Sequence, residues 1–309
     1  MTGVFGMGHG GMTDPVPAAA AIQAKEDRDS INNGSVAVET KVGLGKGVHQ
    51  PLRSASYPTT HRLRRPQRLP PSQILSRPMV FSPSSPVSKP PRSVFESIYA
   101  FAPNRDTLGG TAYFIVEKDS QGRAQNLLVD TPPWDETTRQ FLAEQGGVRW
   151  LAITHRTALG KAAALQKHLG CEVVIQEQEA YLLPDTPKTT FHRSLSLTPH
   201  LEVLWTPGYS PGSACVYYGC YGGVLFSGRH LLPNRQGHPE PLRFSKTFHW
   251  PRHLCQVEAL RTRFSPETLA HLCPAANTGF LRGQRTIDNA YAQLQALDLD
   301  ALRAAPALL

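Results

Sequence analysis

A chain of 309 residues is long enough for one large domain or two small ones, and 40% hydrophobic with 18% charged residues is compatible with one compact core. Residues 1–94 contain twelve Lys and Arg against five Asp and Glu, so they carry +7 of the formal net charge of +8 and the remainder carries +1. This near-neutral remainder argues against nucleic-acid binding by a folded region, and no apolar run reaches the ~20 residues that span a membrane.

The five cysteines are an odd number and include no C-x-x-C pair. This pattern is typical of reduced thiols, so we expect a cytoplasmic protein. Cys215 and Cys220 are close enough in sequence to face each other across a hairpin, but two small hydrophobic side chains are the favoured interpretation.

Residues 1–92 are predicted to form a disordered basic tail, because they are rich in Pro, Ser and Arg and contain few apolar clusters. Such a segment buries too little apolar surface to offset the entropy lost on ordering its backbone. Three interpretations stay open: a linker, a transit-like peptide that would direct the chain to a plastid, or an upstream start site. Met79 opens the segment directly before the folded region, so the sequence leaves open whether residues 1–78 belong to the mature protein. Nucleic acid is expected to contact the chain only through this tail.

The folded region is predicted to span residues 93–309 and to begin with β-structure. Residues 94–101 are a short apolar and aromatic run, which predicts a single strand. Residues 111–117 and 126–130 are apolar runs joined by a polar turn that contains glycine, which predicts a hairpin.

Strands and helices then alternate along the chain. Helices are predicted over residues 134–145 and 160–169, because each stretch has inward-facing apolar residues and is followed by glycine. Residues 148–154 and 172–175 are apolar enough to be buried strands. Further strands are predicted over residues 201–206, 214–218, 224–226 and 269–274.

The C-terminal part is predicted to be mainly helical. Apolar residues repeat at helical spacing over residues 254–264. The sequence S-P-E at residues 265–267 has the N-cap and first-turn proline that start another helix. Apolar residues over 287–297 predict a last amphipathic helix. This order of elements favours an α+β fold in which two sheets pack face to face with helices outside.

Four short motifs follow one another in the folded region: L-L-V-D-T at residues 127–131, T-H at 154–155, T-P-G-Y-S-P-G-S at 206–213 and L-F-S-G-R at 225–229. They are similar to the loop motifs of the metallo-β-lactamase-fold superfamily, namely a strand ending in aspartate, T-H-x-H-x-D-H, T-P-G-H-T-P-G-S and L-F-[ST]-G-D. The resemblance covers about two-thirds of the chain. It implies a four-layer αβ/βα sandwich behind the disordered tail.

The resemblance also implies one or two Zn²⁺ or Fe ions, and here the residues depart from the pattern. His155 matches the first histidine. The other ligand positions hold Thr157, Leu159, Gly160, Tyr209, Arg229 and, for the last histidine, Ala276 or Asn277. A hydrolytic zinc site needs about three protein ligands plus water, and an arginine places a permanent cation where the metal charge would lie. The chain therefore resembles a branch with a degenerate metal site, for which we expect no Zn or Fe cofactor.

Two hypotheses about function follow. The residues expected around the floor and mouth of the site are Asp130, His155, Arg156, Tyr209, Arg229 and His230. The first hypothesis is a non-classical or non-catalytic protein that binds a small anionic ligand or a protein partner, with Arg229 supplying the positive charge. A structural alternative is that Arg229 pairs with Asp130 and only holds the loops together. The second hypothesis is a hydrolase of a thioester, lactone or phosphoester that uses an atypical set of Zn or Fe ligands.

Overall fold

The computed structural model describes residues 88–308. Most of the predicted tail, residues 1–87, lies outside the described residues. The first strand begins at Arg92, where the sequence predicts the change from tail to folded region.

Seven strands form the first sheet. They are β1 (Arg92–Phe95), β2 (Ile98–Ala100), β3 (Tyr113–Ile115), β4 (Leu127–Val129), β5 (Trp150–Ala152), β6 (Glu172–Gln176) and β7 (Lys188–Phe191). They lie side by side in chain order, antiparallel from β1 to β4 and parallel from β4 to β7. Parallel neighbours need crossover connections, and the helices α1 (Glu136–Glu144) and α2 (Ala162–Leu169) supply the first two. The predicted hairpin of β3 and β4 is confirmed.

Six strands form the second sheet. They are β8 (Ser194–Ser196), β9 (Leu201–Trp205), β10 (Ala214–Tyr218), β11 (Val224–Gly228), β14 (His271–Pro274) and β15 (Ile287–Asp288). Their order is β15-β14-β11-β10-β9-β8. Only β11 and β14 pair in parallel, and the connection between them contains the helix α3 (Trp250–Arg263). The same connection holds a small ribbon of β12 (Leu232–Pro233) and β13 (Pro239–Glu240), and the chain ends with α4 (Ala290–Gln295) and α5 (Leu299–Ala304).

Three apolar clusters divide the described residues into four layers. The central cluster joins the inner faces of the two sheets, for example Ile115 and Val129 with Val216 and Phe226. A second cluster lies between the first sheet and the helices α1 and α2, and a third between the second sheet and the helices α3 and α4. Strands that are buried on both faces read as continuous apolar runs, which is why β4 and β5 were recognisable in the sequence. The predicted four-layer αβ/βα sandwich is confirmed.

Local signals set the ends of the helices. The side chain of Asp135 caps α1 by accepting the N–H of Thr138 at 3.0 Å. The helix α2 ends at Gly170, whose left-handed φ of +64° suits a residue without Cβ. His249 caps α3 through the N–H of Arg252, and a proline occupies the first turn.

Three predicted elements differ from the structure. Residues 94–101 are a hairpin rather than one strand, because the chain turns between Phe95 and Ile98. The sequence at residues 265–267 starts a turn that leads into β14, and no helix lies between the two. The prediction of a single last helix over residues 287–297 is also wrong. Ile287 pairs with Leu272 in the second sheet, and two short helices follow.

Two further findings concern the whole described part of the chain. No helix among residues 88–308 is long and apolar enough to cross a membrane.

Cys215 and Cys220 are both free thiols, the first buried and the second partly exposed.

Candidate functional site

The ends of several strands meet around Thr154, which follows β5. The carbonyl of Thr154 accepts the N–H of Ala214, at the start of β10, at 2.7 Å. Gly228, the last residue of β11, packs against Thr154 as well. A Cβ built on this glycine would lie 2.6 Å from the Thr154 hydroxyl oxygen. The surrounding loops are called the loop cluster here and comprise residues 104–110, 130–131, 154–157, 206–213 and 228–230.

Asp130 is buried in the loop cluster and takes a left-handed backbone conformation, with a φ of +62°. Its carboxyl oxygens accept the backbone N–H of Thr154 at 2.8 Å and the Thr154 hydroxyl at 2.7 and 2.9 Å. Burial raises the pKa of Asp130 to about 7, and the hydrogen bonds from Thr154 and the charge of Arg229 oppose that rise. Asp130 therefore changes charge near neutral pH.

His155 directly follows Thr154, the residue that donates to Asp130, and only 2% of its surface is exposed. Its Nδ1 is 2.8 Å from the hydroxyl of Thr157, and that hydroxyl is 3.4 Å from the hydroxyl of Tyr209. The ring of Tyr209 meets the imidazole edge to face at 5.2 Å, while Nε2 of His155 is buried without a partner among the described residues. Burial, and secondarily the charge of Arg229, hold the pKa of His155 well below its usual value, so the imidazole is neutral.

Arg229 follows β11 and holds the loop of residues 104–110. Its Nη2 donates to the carbonyl oxygens of Leu108 at 2.9 Å and Thr107 at 3.3 Å. Its Nε is buried without a partner among the described residues. In the structural alternative, the pairing of Arg229 with Asp130 is wrong, because no carboxylate of the described residues lies within 4.0 Å of the guanidinium and Asp130 is bound by Thr154. Arg229 holds the loop of residues 104–110 instead.

The ring of His230 stacks on His253 of α3. The two rings lie 4.4 Å apart at 29°, and Nε2–H of His253 donates to the carbonyl of His230 at 2.7 Å. Burial lowers the pKa of His230, with a smaller effect from His253, and burial lowers the pKa of His253 to about 4. Both rings are neutral, and the pair forms a packed link between β11 and α3.

Arg156 is engaged with Glu179, which sequence reasoning missed. Nε of Arg156 donates to Oε1 of Glu179 at 3.0 Å; the carboxylate is fully buried, whereas the arginine side chain is 42% exposed. Gly212 packs directly on Glu179, since a Cβ built there would lie 2.7 Å from Cγ of the glutamate. Arg156 therefore ties the 154–157 loop to the 177–182 segment, and Glu179 of that segment packs against the 206–213 turn at Gly212.

The structure thus divides the six predicted residues into two groups. Asp130, His155, Tyr209 and Arg229 come together in the loop cluster, whereas Arg156 and His230 are held by Glu179 and His253. No motif marks Glu179 in the sequence. His253 was noticeable only by its i, i+4 spacing from His249. In the structure His249 caps α3 by accepting the N–H of Arg252, and the ring of His253 stacks on His230 instead.

The donor set of the loop cluster does not fit the metal centre that the resemblance implies. Among residues 88–308, no three His, Cys, Asp or Glu side chains are arranged to hold a metal ion. His155 offers Nε2, but Tyr209 and Thr157 offer only hydroxyls, and Arg229 brings a fixed positive charge into the cluster. A zinc site needs about three nitrogen, sulfur or carboxylate ligands, which these residues do not supply.

A cleft of about 370 Å³ lies outside the loop cluster, and none of the six predicted residues lines it. It is formed by β1 to β3, the preceding residues Lys89 and Pro90, and the segment 278–285 that follows β14. The loop of residues 104–110 connects the two regions, because the adjoining Pro103 and Thr111 line the cleft.

The chain is similar in structure to solved proteins of the metallo-β-lactamase superfamily. The B3 metallo-β-lactamase BLEG-1 is 18% identical, with a TM-score of 0.44, over 63% of this chain and 95% of that protein. An archaeal superfamily protein from Sulfolobus tokodaii is 10% identical, with a TM-score of 0.45, over 70% and 89%. A β-lactamase domain protein from Burkholderia ambifaria is 16% identical, with a TM-score of 0.47, over 70% and 79%.

Searches with the sequence give no match, either to a protein-family model or to a curated protein. The fold is therefore assigned from the two sheets and four layers of the chain itself. Its function has to be argued from its own residues.

Proposed function

We propose that this chain is a non-hydrolytic binding protein on a metallo-β-lactamase-type fold, and that its loop cluster takes a small oxyanion where the fold's enzymes hold metal. The observation that carries the proposal is a pair of buried nitrogens without partners, Nε2 of His155 and Nε of Arg229. The two groups are close enough for the Arg229 charge to lower the pKa of His155. The imidazole Cδ2 also lies beside Gly228, which immediately precedes Arg229.

The contacts of Thr157 with Nδ1 of His155 at 2.8 Å and with the Tyr209 hydroxyl at 3.4 Å fit either direction of donation. In the proposed direction, the Tyr209 hydroxyl donates to Thr157 and the Thr157 hydroxyl donates to Nδ1 of His155. In a neutral imidazole this leaves the ring proton on Nε2. Nε of arginine is always a donor. Two buried N–H donors, one of which belongs to the Arg229 guanidinium, favour a ligand that brings acceptor oxygens and negative charge.

The cofactor proposal follows from the same residues: the protein works without Zn or Fe. The test is metal analysis of the purified full-length chain after dialysis against metal-free buffer. The expected result is Zn and Fe well below one equivalent. One equivalent or more of either metal, retained through dialysis, would contradict the proposal and favour a hydrolase with an atypical ligand set.

Anion binding is tested by titrating the full-length chain with inorganic phosphate and following amide shifts by NMR. Arg229→Gln removes the charge and is expected to weaken phosphate binding about tenfold, since a hydrogen bond to a charged group contributes ~1.5 kcal/mol or more. The matched control is Arg235→Gln, at an exposed arginine outside the loop cluster. His155→Gln is the second variant, in case Arg229→Gln unfolds. Unchanged affinity in both variants contradicts the proposal.

A further inference from the structure

The cleft next to β1 has an unbalanced set of charges. Three cationic residues line it, Lys89, Arg92 and Arg285, and no acidic residue does. None of the three side chains forms an ion pair or hydrogen bond with another residue among 88–308. Like charges that converge on one concavity repel one another, and an anion placed between them relieves that repulsion.

The floor of the cleft is apolar and well packed. Phe101 and Tyr113 are each almost fully buried, and Leu281 closes the opposite side. The Tyr113 hydroxyl is occupied by the carbonyl of Pro274 at 2.8 Å, so this ring presents its apolar face rather than a free hydroxyl. An apolar floor under a cationic rim suits a ligand that has both an apolar part and an anionic group.

The side of the cleft that the 278–285 segment forms offers further polar groups and free space. Thr278 and Gln284 line it with polar side chains that form no hydrogen bond with residues 88–308. A Cβ built on Gly279 meets nothing within 4 Å, and this glycine has no left-handed φ. The cleft is therefore open at this point, and a side chain can be introduced there without backbone strain.

We infer that this cleft, with Lys89, Arg92 and Arg285 at its rim and Phe101 and Leu281 within it, is a binding site for a small organic phosphate. A phosphate monoester carries about −1.5 to −2 charge at pH 7 and three acceptor oxygens, which suits several cations better than a single carboxylate does. The volume of about 370 Å³ lies in the range of small-molecule sites. The inference is independent of the oxyanion proposed for the loop cluster.

The test uses phenyl phosphate as the probe, titrated into the full-length chain by calorimetry, with amide shifts in NMR to locate the binding. Arg285→Gln and Arg92→Gln are each expected to weaken binding about tenfold, because each removes a hydrogen bond to a charged group. Both arginines are exposed, so the substitutions are not expected to unfold the chain. The matched control is Arg282→Gln, an exposed arginine that does not line the cleft.

A second variant tests the cavity rather than the charge. Gly279→Leu fills the open space and is expected to weaken phenyl phosphate binding about tenfold or more while leaving all three cations in place. Binding is also expected to weaken with added salt, since the rim is solvent-exposed. Phenol and inorganic phosphate are each expected to bind at least tenfold more weakly than phenyl phosphate.

Several outcomes would overturn the inference. They are no saturable binding, equal loss in the Arg282→Gln control, no effect of Gly279→Leu, and phenol binding as tightly as phenyl phosphate. His155→Gln separates the two sites, because it is expected to weaken inorganic phosphate binding in the loop cluster and to leave phenyl phosphate binding in the cleft unchanged. If His155→Gln weakens phenyl phosphate binding to the same extent, the ligand occupies the loop cluster and the cleft assignment is wrong.

Discussion

The buried pair of His230 and His253 predicts that the protein loses stability in mild acid. Burial lowers the pKa of His253 from an ordinary 6.5 to about 4. Between these values the unfolded chain binds a proton that the folded chain does not bind. The stabilisation is therefore complete above pH 6.5 and is lost as the pH falls toward 4. Each pH unit in this window changes the free energy of unfolding by up to ~1.4 kcal/mol, so His253 alone accounts for about 3 kcal/mol.

The perturbation is His253→Gln, which removes the titration and keeps an N–H donor for the carbonyl of His230. We expect the variant to be less stable than the wild type at pH 7.5, because the stacked ring is lost, but to depend less on pH. The measurement is urea unfolding followed by tryptophan fluorescence at several pH values from 4.5 to 7.5. The slope of unfolding free energy against pH should fall by about 1 kcal/mol per pH unit.

The control is His238→Gln, at an exposed histidine, which should keep the wild-type slope. An unchanged slope in His253→Gln would refute the reasoning, because it would mean that the folded state protonates this ring as readily as the unfolded chain does. His230 and His155 have pKa values lowered by burial too, so part of the acid sensitivity should persist in the variant.

Three further predictions concern the loop cluster. Asp130→Asn removes a carboxyl whose pKa is raised to about 7, so the stability of the variant relative to wild type should improve as the pH rises from 5 to 8 in urea unfolding. Gly208→Ala should destabilise by about 3 kcal/mol or more in the same assay, because the glycine has a φ of +147° and a Cβ there would lie 2.3 Å from Cα of His253. Arg156→Ala leaves the buried carboxylate of Glu179 without its partner and should cost about 2 kcal/mol; adding Glu179→Gln should recover most of that loss.

Elements of the fold were predictable where the pattern of apolar residues fitted only one type of secondary structure. The runs that became β4 and β5 are buried on both faces, so no choice of register was needed to recognise them. The hairpin of residues 92–100 was missed because its turn contains neither glycine nor proline. The last helix was misjudged for a different reason. Ile287 has helical spacing to the residues after it, but Asn289 takes a left-handed φ of +51° and separates the strand from the helix.

The sequence predicted where the residues of the candidate site lie better than it predicted which groups they contact. The motif residues Asp130, His155 and Arg229 lie in one cluster because each follows a strand that ends at the same edge of the sandwich. What each side chain binds was not predictable from the motifs. The carbonyls that Arg229 reaches belong to a loop some 120 residues earlier in the chain, and the buried carboxylate of Glu179 carries no local signal. Contacts of this kind depend on the packing of distant segments.

Hydrogen bonds hold the loops of the loop cluster together. In a dinuclear metal enzyme, ions attract side chains from several loops to one point. Here separate hydrogen bonds connect the same loops: Arg229 to the carbonyl of Leu108, Thr154 to Asp130, and the N–H of Ala214 to Thr154. Because these links involve no ion, the geometry of the cluster is fixed by the protein alone. A loop cluster held in this way keeps Nε2 of His155 and Nε of Arg229 in fixed positions, which is the property that the proposed function requires.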